Sequence, residues 1–332
     1  MTDKVIWALT GDKTGDNNQL LALAELVGAP FEIKKLSYNL ARAIPPRFLG
    51  TSLLSLTPEA RRQLAPPWPD LVIAIGRRSV ATARWLKKNH GSKLALIGHP
   101  RVDPRHFDLV ITTRQYPVPR HENVILLPMP MSRLGQPQSP NDAEVRLFDS
   151  LPRPQLLLAL GGPTKYWALD KDSTLSAVDA LLERAAKRGG SVIAIGSRRT
   201  PAEIVTAIRD RLPAPHRLIE DPAIRFAALM HHADEIFVTA DSISMLSEAI
   251  QTGKPVGMIP IVLTDKGKSR LGSSPGEKRH RNRDLRHIWN YLQSEGLVGT
   301  VSEPRAGDWN DGAVLEAAEA VRALIGLEND DR

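Results

Sequence analysis

The sequence predicts an α/β protein built as two successive parallel-sheet halves. Three observations carry this. Apolar runs of five or six residues, such as "KVIWAL" (Lys4–Leu9), "DLVIAIG" (Asp70–Gly76) and "KLALIG" (Lys93–Gly98), alternate with helical patterns from the start of the chain. Continuous apolar runs separated by helices belong to strands covered on both faces. Between Met131 and Pro154 the texture changes to "MSRLGQPQSPNDAEVRLFDSLPRP", with four prolines and little apolar content, and then the alternation restarts at "QLLLALGG".

In the first half, the strand at Lys4–Leu9 leads through a polar glycine loop into a helix, "QLLALAELVG", ending at Gly28. "FEIKKL" is a second strand. A Pro-rich patch follows, then the strand at Asp70–Gly76, the helix "SVATARWLKKN", the strand at Lys93–Gly98 and two short strands, "FDLVITT" and "NVILLP". The second half reads as "QLLLALGG", a helix through Arg188, the strand "SVIAIGS", a helix over Pro201–Leu212, "HRLIE", the helix "AIRFAALMHHA", the strand "EIFVTA", a helix stopping at Gly253-Lys254-Pro255, and "PVGMIP". The expected domains are 1–135, a linker at 136–154, 155–310, and a C-terminal helix at 311–332 that crosses back to the first domain. Two such domains facing each other leave an interdomain cleft lined by the carboxyl ends of the strands, where open α/β sheets bind ligands.

Composition narrows the chemistry. The 332 residues include no cysteine, which excludes disulfides, thiolate catalysis and cysteine-held zinc. Lys plus Arg number 44 against 37 for Asp plus Glu, a net charge of +7 that suits an anionic partner: a nucleotide, a phosphate or an acidic lipid surface. The N-terminus has one short apolar run, Val5–Thr10, and reads neither as a secretory signal nor as a membrane span. The expected location is cytoplasmic, with peripheral contact at the inner membrane face. The segment "KGKSRLGSSPGEKRHRNRDLR" (Lys266–Arg286), with eight basic and two acidic residues, reads as a mobile loop for phosphate or membrane-surface contact. No aromatic residue interleaves its charges, so nucleic acid is not an expected partner.

Candidate site residues lie at strand ends. In "LALGGPTKYW", Gly161-Gly162 permits close backbone approach to a phosphate, or simply a tight turn. In "AIGSRRTPAE", Ser197, Arg198, Arg199 and Thr200 follow a strand. Thr200, Pro201 and Glu203 read as a capping box. The two arginines oppose the helix dipole there unless an anion binds. In "TADSISMLSEAIQTGKPV", Asp241 or Ser242 caps the helix, while Ser244 and Glu248 share a face away from the Ile243, Leu246 and Ile250 stripe. Either these residues cap and solvate a helix, or they hold a ligand at its N-terminus, with Glu248 accepting two sugar hydroxyls. In the first half, the loop from Gly11 to Gln19 offers Asp12 and Asp16 as general bases, with Asn17 or Asn18 capping the next helix; His99, in "IGHPRVDP", is a third candidate base. No metal site is expected, since the adjacent His231 and His232 diverge on a helix.

The 239–256 stretch resembles the nucleotide-sugar segment of GT-B glycosyltransferases, enzymes with two facing Rossmann-like domains. The Glu248-Ala249 pair matches theirs, which implies a ribose contact for Glu248 and a diphosphate facing the Asp241-Ser242 turn. The combination of "GDKTGDNNQ", "DLVIAIGRRS", "IGHPRVDPRHFDLVI", "ALGGPTKYW", "IGSRRTP" and "TADSISMLSEA" resembles the mitochondrial-fission "elongated mitochondria" family, from Val5 to Pro260. The epimerase label carried by bacterial members fits poorly, because G-x-G-x-x-G after the first strand and the Tyr-x-x-x-Lys pair of short-chain epimerases are missing. The resemblance implies a metal-independent glycosyltransferase that uses a nucleotide sugar as substrate, without a separate cofactor, and acts on an anionic or lipid-linked glycan acceptor. The alternative is a non-catalytic nucleotide-sugar-binding or adaptor protein working through a protein partner.

Overall fold

A computed structural model describes residues 4–132, 134, 137–275 and 283–327. In chain order the elements are β1 (Ile6–Thr10), α1 (Thr14–Leu26), β2 (Glu32–Lys35), α2 (Pro46–Leu49), α3 (Pro58–Arg62), β3 (Leu71–Ile75), α4 (Gly76–His90), β4 (Lys93–Ile97), β5 (Leu109–Thr113) and β6 (Val124–Leu127). These are followed by α5 (Asp142–Asp149), β7 (Gln155–Leu160), β8 (Trp167–Ala168), α6 (Lys171–Arg188), β9 (Ser191–Gly196), α7 (Ala202–Arg211), β10 (Arg217–Ile219) and α8 (Phe226–His232). The chain continues through β11 (Glu235–Thr239), α9 (Ile243–Gln251), β12 (Val256–Ile259), β13 (Val262–Leu263), α10 (Asp265–Leu271), α11 (Arg286–Ser294) and α12 (Gly312–Ala323).

Two compact units result. One contains the described residues up to 132 with 283 and 310–327; the other contains the rest. The first unit holds a six-stranded parallel sheet in the order β2-β1-β3-β4-β5-β6. Alternate residues of β1 enter different cores: Ile6 and Ala8 join one cluster, Trp7 and Leu9 the other. That is why these strands read as unbroken apolar runs. On one face the core takes Leu20, Leu23 and Ala24 of α1 together with Val314, Ala317, Ala318 and Val321 of α12. Arg322 Nη1 then donates to the Val27 carbonyl at 2.7 Å, closing α12 onto the end of α1. On the other face Val80, Ala83 and Leu86 of α4 cover the sheet.

The second unit holds a five-stranded parallel sheet ordered β10-β9-β7-β11-β12, with β8 and β13 paired antiparallel beside it. All six residues of β7 and all five of β11 are buried. In each sheet the strand order reverses beside the first strand, between β1 and β3 and between β7 and β11. These are the topological switch points at which open α/β sheets bind ligands.

Three segments differ from expectation. The 136–154 stretch is not a bare linker: Asn141-Asp142-Ala143-Glu144 closes a capping box that starts α5. Its prolines flank the helix and do not interrupt it. Glu144 is fully buried, and its carboxylate takes the Arg225 guanidinium at 2.6 and 2.8 Å. Within Lys266–Arg286, α10 occupies the first part and α11 begins at Arg286, while 276–282 lie outside the described residues. Arg286 is buried, bound to Asp284 and to the carbonyls of Leu271, Gly272 and Ser273, so it serves structure and not solvent-side anion contact. Finally, α1 begins at Thr14, and Asn17 does not cap it. The Asn17 amide pairs with both the N–H and the carbonyl of Gly11 at 2.9 Å, pinning the loop after β1.

Candidate functional site

The loops after β7, β9 and β11 meet at the switch point of the second sheet. Thr239, the last residue of β11, accepts the Gly161 N–H at 2.7 Å and donates its hydroxyl to Asp241 Oδ1 at 2.8 Å. Asp241 Oδ2 takes the Gly162 N–H at 2.9 Å and the Arg199 guanidinium at 3.2 Å. A Cβ at Gly161 would lie 2.3 Å from both Asp241 oxygens, and one at Gly162 would lie 2.2 Å from the Arg199 carbonyl oxygen. The glycine pair therefore admits protein groups. The expectation that its amides lie open to a phosphate is corrected: the Asp241 carboxylate already occupies that place, as a bound anion would. Burial pushes the Asp241 carboxyl up, against the Gly162 amide, the Thr239 hydroxyl and Arg199.

The loop after β9 is a tight turn. Ser197 N–H points to Thr200 Oγ1 at 2.8 Å, and that hydroxyl donates back toward the Gly161 carbonyl at 2.5 Å. Thr200 is thus not the helix cap. The N-cap of α7 is Pro201, which has no side-chain acceptor, so the expected capping box is not formed. The Thr200 oxygen accepts from the Ser197 N–H in place of a first-turn amide of α7, and its hydrogen goes to the Gly161 carbonyl. Arg198 and Arg199 are both exposed at this turn.

Beyond the turn at Asp241, Ser242 occupies the N-cap position of α9 without a side-chain cap bond. Trp289 of α11 anchors the turn by donating its indole N–H to the Ala240 carbonyl at 2.8 Å. Ser244 and Glu248 follow one helical turn apart on one face, both half-buried. No hydrogen bond or ion pair holds Glu248 among the described residues, and burial raises its carboxyl to about 7. A half-buried acid without a partner, one turn from an uncapped helix N-terminus, is suited to receive hydroxyl donors from a ligand.

The first unit has its own cluster at the β1/β3 switch point. Asp12 pairs with Arg78 at 3.2 Å and Arg42 at 3.8 Å. Asp16 pairs with Lys13 at 3.4 Å and lies against Gly76, whose φ of +69° needs a glycine at the start of α4. Tyr38, beyond the end of β2, was not among the expected site residues. Burial, and next the Asp12 charge, hold its phenol well above the usual tyrosine range. Its position just past a strand end, like that of Asp12, is the signal that marks it. His99 is corrected as a base. Burial, then Arg101, lowers its imidazole to about 4, and its Nδ1 accepts the Arg101 N–H at 3.0 Å. The ring is neutral at pH 7 with the proton on Nε2, a hydrogen-bond donor. Arg101 sits at a φ of +61°, held there by this contact. Tyr116 stands edge-on to the ring, centroids 6.4 Å apart. Among the described residues, no group of three or more His, Asp or Glu side chains could hold a metal ion.

Two parallel-sheet Rossmann-like domains with these loops at the switch points define the GT-B class. Solved structures of that fold include S. aureus MnaA with UDP (TM-score 0.55, 11% identity, 99% of each chain). They also include the UDP-GlcNAc 2-epimerase of Methanocaldococcus jannaschii (0.53, 12%, 97% of this chain and 99% of that one). A third is the glycosyltransferase SnogD of Streptomyces nogalater (0.51, 15%, 98% and 96%). Within this class, the chain belongs to the mitochondrial fission ELM1 family, whose model matches residues 14–324. Relatives include an uncharacterized protein of Rickettsia prowazekii, 23% identical over 290 residues that cover 76% of this chain and 82% of that protein. The mitochondrial fission protein ELM1 of Arabidopsis thaliana is 25% identical over 269 residues, 70% of this chain and 62% of that protein. Because a 2-epimerase shares the GT-B fold, the missing short-chain motifs concern a different architecture and do not argue against epimerisation here.

Proposed function

We propose that the second unit binds a nucleotide-activated sugar and that the protein is a metal-independent glycosyltransferase. Glu248 carries this reading: a half-buried carboxyl at about 7, without a partner among the described residues, on the helix after the switch point. It would accept the two ribose hydroxyls. The diphosphate would lie at the N-terminus of α9, beside Ser242 and Ser244, with Arg198 and Arg199 at the neighbouring turn. In transfer, an acceptor hydroxyl oxygen attacks the anomeric carbon and the bond from that carbon to the phosphate oxygen breaks. The nucleoside diphosphate leaves with the electron pair, stabilised by the guanidinium groups and the helix end. Asp12 or Asp16 would take the acceptor proton. The fold supports the reading, since UDP and UDP-sugar proteins share it.

One observation favours a second reading, a non-catalytic sugar-nucleotide-binding or adaptor protein. Asp241 already holds the Gly162 amide and Arg199, so the diphosphate has fewer donors than an open loop would supply. Thermal unfolding with a panel of nucleotides and nucleotide sugars tests both. A ligand at 100 times its Kd should add about 2.7 kcal/mol of stability. Glu248→Ala should abolish that shift, and Arg198→Ala should weaken diphosphates more than nucleosides. If no nucleotide shifts the melting temperature, the site reading fails. Binding without release of nucleoside diphosphate across an acceptor panel supports the adaptor, and epimerised sugar in the same assay would replace transfer as the reaction.

A further inference from the structure

Between Glu32 and Glu59 the chain has no acidic residue, and it exposes Lys35, Arg42 and Arg47, of which Arg42 pairs with Asp12, while Lys34 is buried and pairs with Glu32. The same stretch holds five of the ten large apolar side chains exposed among the described residues, Ile33 on β2 and, between residues 40 and 54, Leu40 at 92%, Phe48 at 69%, Leu54 at 56% and Ile44 at 38%. Such clustering is not the usual scatter of single apolar residues over a surface.

These side chains are held out by an ordered base. Asn39 caps the short 3-10 turn Leu40–Ala43, accepting the Ala41 N–H. Its amide also donates to the carbonyls of Leu54 and Leu56 at 2.9 and 3.1 Å, and Tyr38 bridges Leu56 antiparallel. The two ends of the segment therefore run side by side, next to Leu40 and Leu54. Between them, α2 buries Pro46 and Leu49 and turns Arg47 and Phe48 outward. The Arg47 guanidinium lies 4.6 Å from the centre of the Phe48 ring. Arg84 of α4 holds the Gly50 carbonyl at 3.4 Å.

We propose that this crest, residues 40–54, docks the protein on a membrane surface rich in anionic lipid. Leu40, Ile44, Phe48 and Leu54 would enter the boundary between headgroups and acyl chains, while the arginines stay at headgroup level with their stems along the apolar tips. The lack of carboxylates across the stretch removes repulsion from acidic headgroups. A protein partner is the weaker fit, because separate tips interleaved with cations differ from an apolar interface centre depleted of charge. Docking would be peripheral, since no described helix is long and apolar enough to cross a membrane. It does not rest on the sugar-nucleotide reading and is tested without a nucleotide.

The test is flotation of the full chain with vesicles of phosphatidylcholine alone or mixed with phosphatidylglycerol, at low and high salt. The chain should float with the mixed vesicles only, and high salt should weaken this. Leu40→Ser/Phe48→Ser should lower partitioning about 100-fold, about tenfold per side chain. Arg47→Gln should lower it about fivefold. All three side chains are exposed, so circular-dichroism melts should be unchanged and folding does not confuse the result. A wild-type chain that never floats, or a double variant that floats as well as wild type, overturns the proposal. So does a chain that ignores vesicles but forms a dimer in gel filtration that the double variant abolishes, which would make the crest a protein interface.

Discussion

Glu248 pays in stability for its availability. Its carboxyl rises to about 7 in the folded protein from 4.5, so the folded state holds a proton that the unfolded chain releases. Stability is therefore full below about pH 4.5, declines as the pH rises toward 7, and is flat above. Glu248→Gln should raise unfolding free energy at pH 8 by about 3 kcal/mol and leave it unchanged at pH 4, as read by urea denaturation at the two values. Nucleotide binding that needs the ionised carboxylate should weaken below pH 7 in titration calorimetry, with proton release that the glutamine variant lacks. Gly161→Ala should cost about 1–3 kcal/mol, because its Cβ would strike Asp241. At this scale the sequence is half legible. The i, i+4 spacing of Ser244 and Glu248 places both on one helix face. Asp241 filling the glycine turn is not readable, because it joins residues 79 positions apart. His99 failed as a base for a similar reason: burial and a backbone amide, invisible in "IGHPRVDP", set its protonation.

Helix α5 shows the same division among elements. Its capping box is written in Asn141 to Glu144, but the surrounding prolines mask it, and nothing local announces that Glu144 anchors Arg225. Arg225 and the Asn141 N–H hold the Glu144 carboxyl down at about 2. Its stabilising contribution is complete above about pH 4.5 and is lost as the pH falls through about 2. Glu144→Ala breaks the capping box and leaves Arg225, partly exposed, with only Gln138 and the Ser139 carbonyl, and should cost about 1–2 kcal/mol at neutral pH, measurable as a shifted denaturant midpoint. The strands were the easier elements: an unbroken run such as "QLLLAL" can hardly be anything but a strand buried on both sides, and β7 is one. Their order was not readable, since the pairing of β1 with β3 and of β7 with β11 depends on crossovers.

For the whole molecule, the decisive feature is that α12 completes the core of the first unit, although the second unit lies between them in sequence. Deleting residues from 310 onward should strip hydrogen-exchange protection from β1 and α1 while β7 and β11 keep theirs. Loss of protection in both units would show that they fold as one.

That arrangement also orders events on the ribosome. The amino-terminal sheet leaves the exit tunnel before α12, so one of its faces is covered only in part, by α1, until that helix is translated. The intervening unit can close on itself sooner, so the first part made is the last part finished. Through that interval the apolar surface that α12 covers, on α1, β5 and β6, stays open to the cell's chaperones.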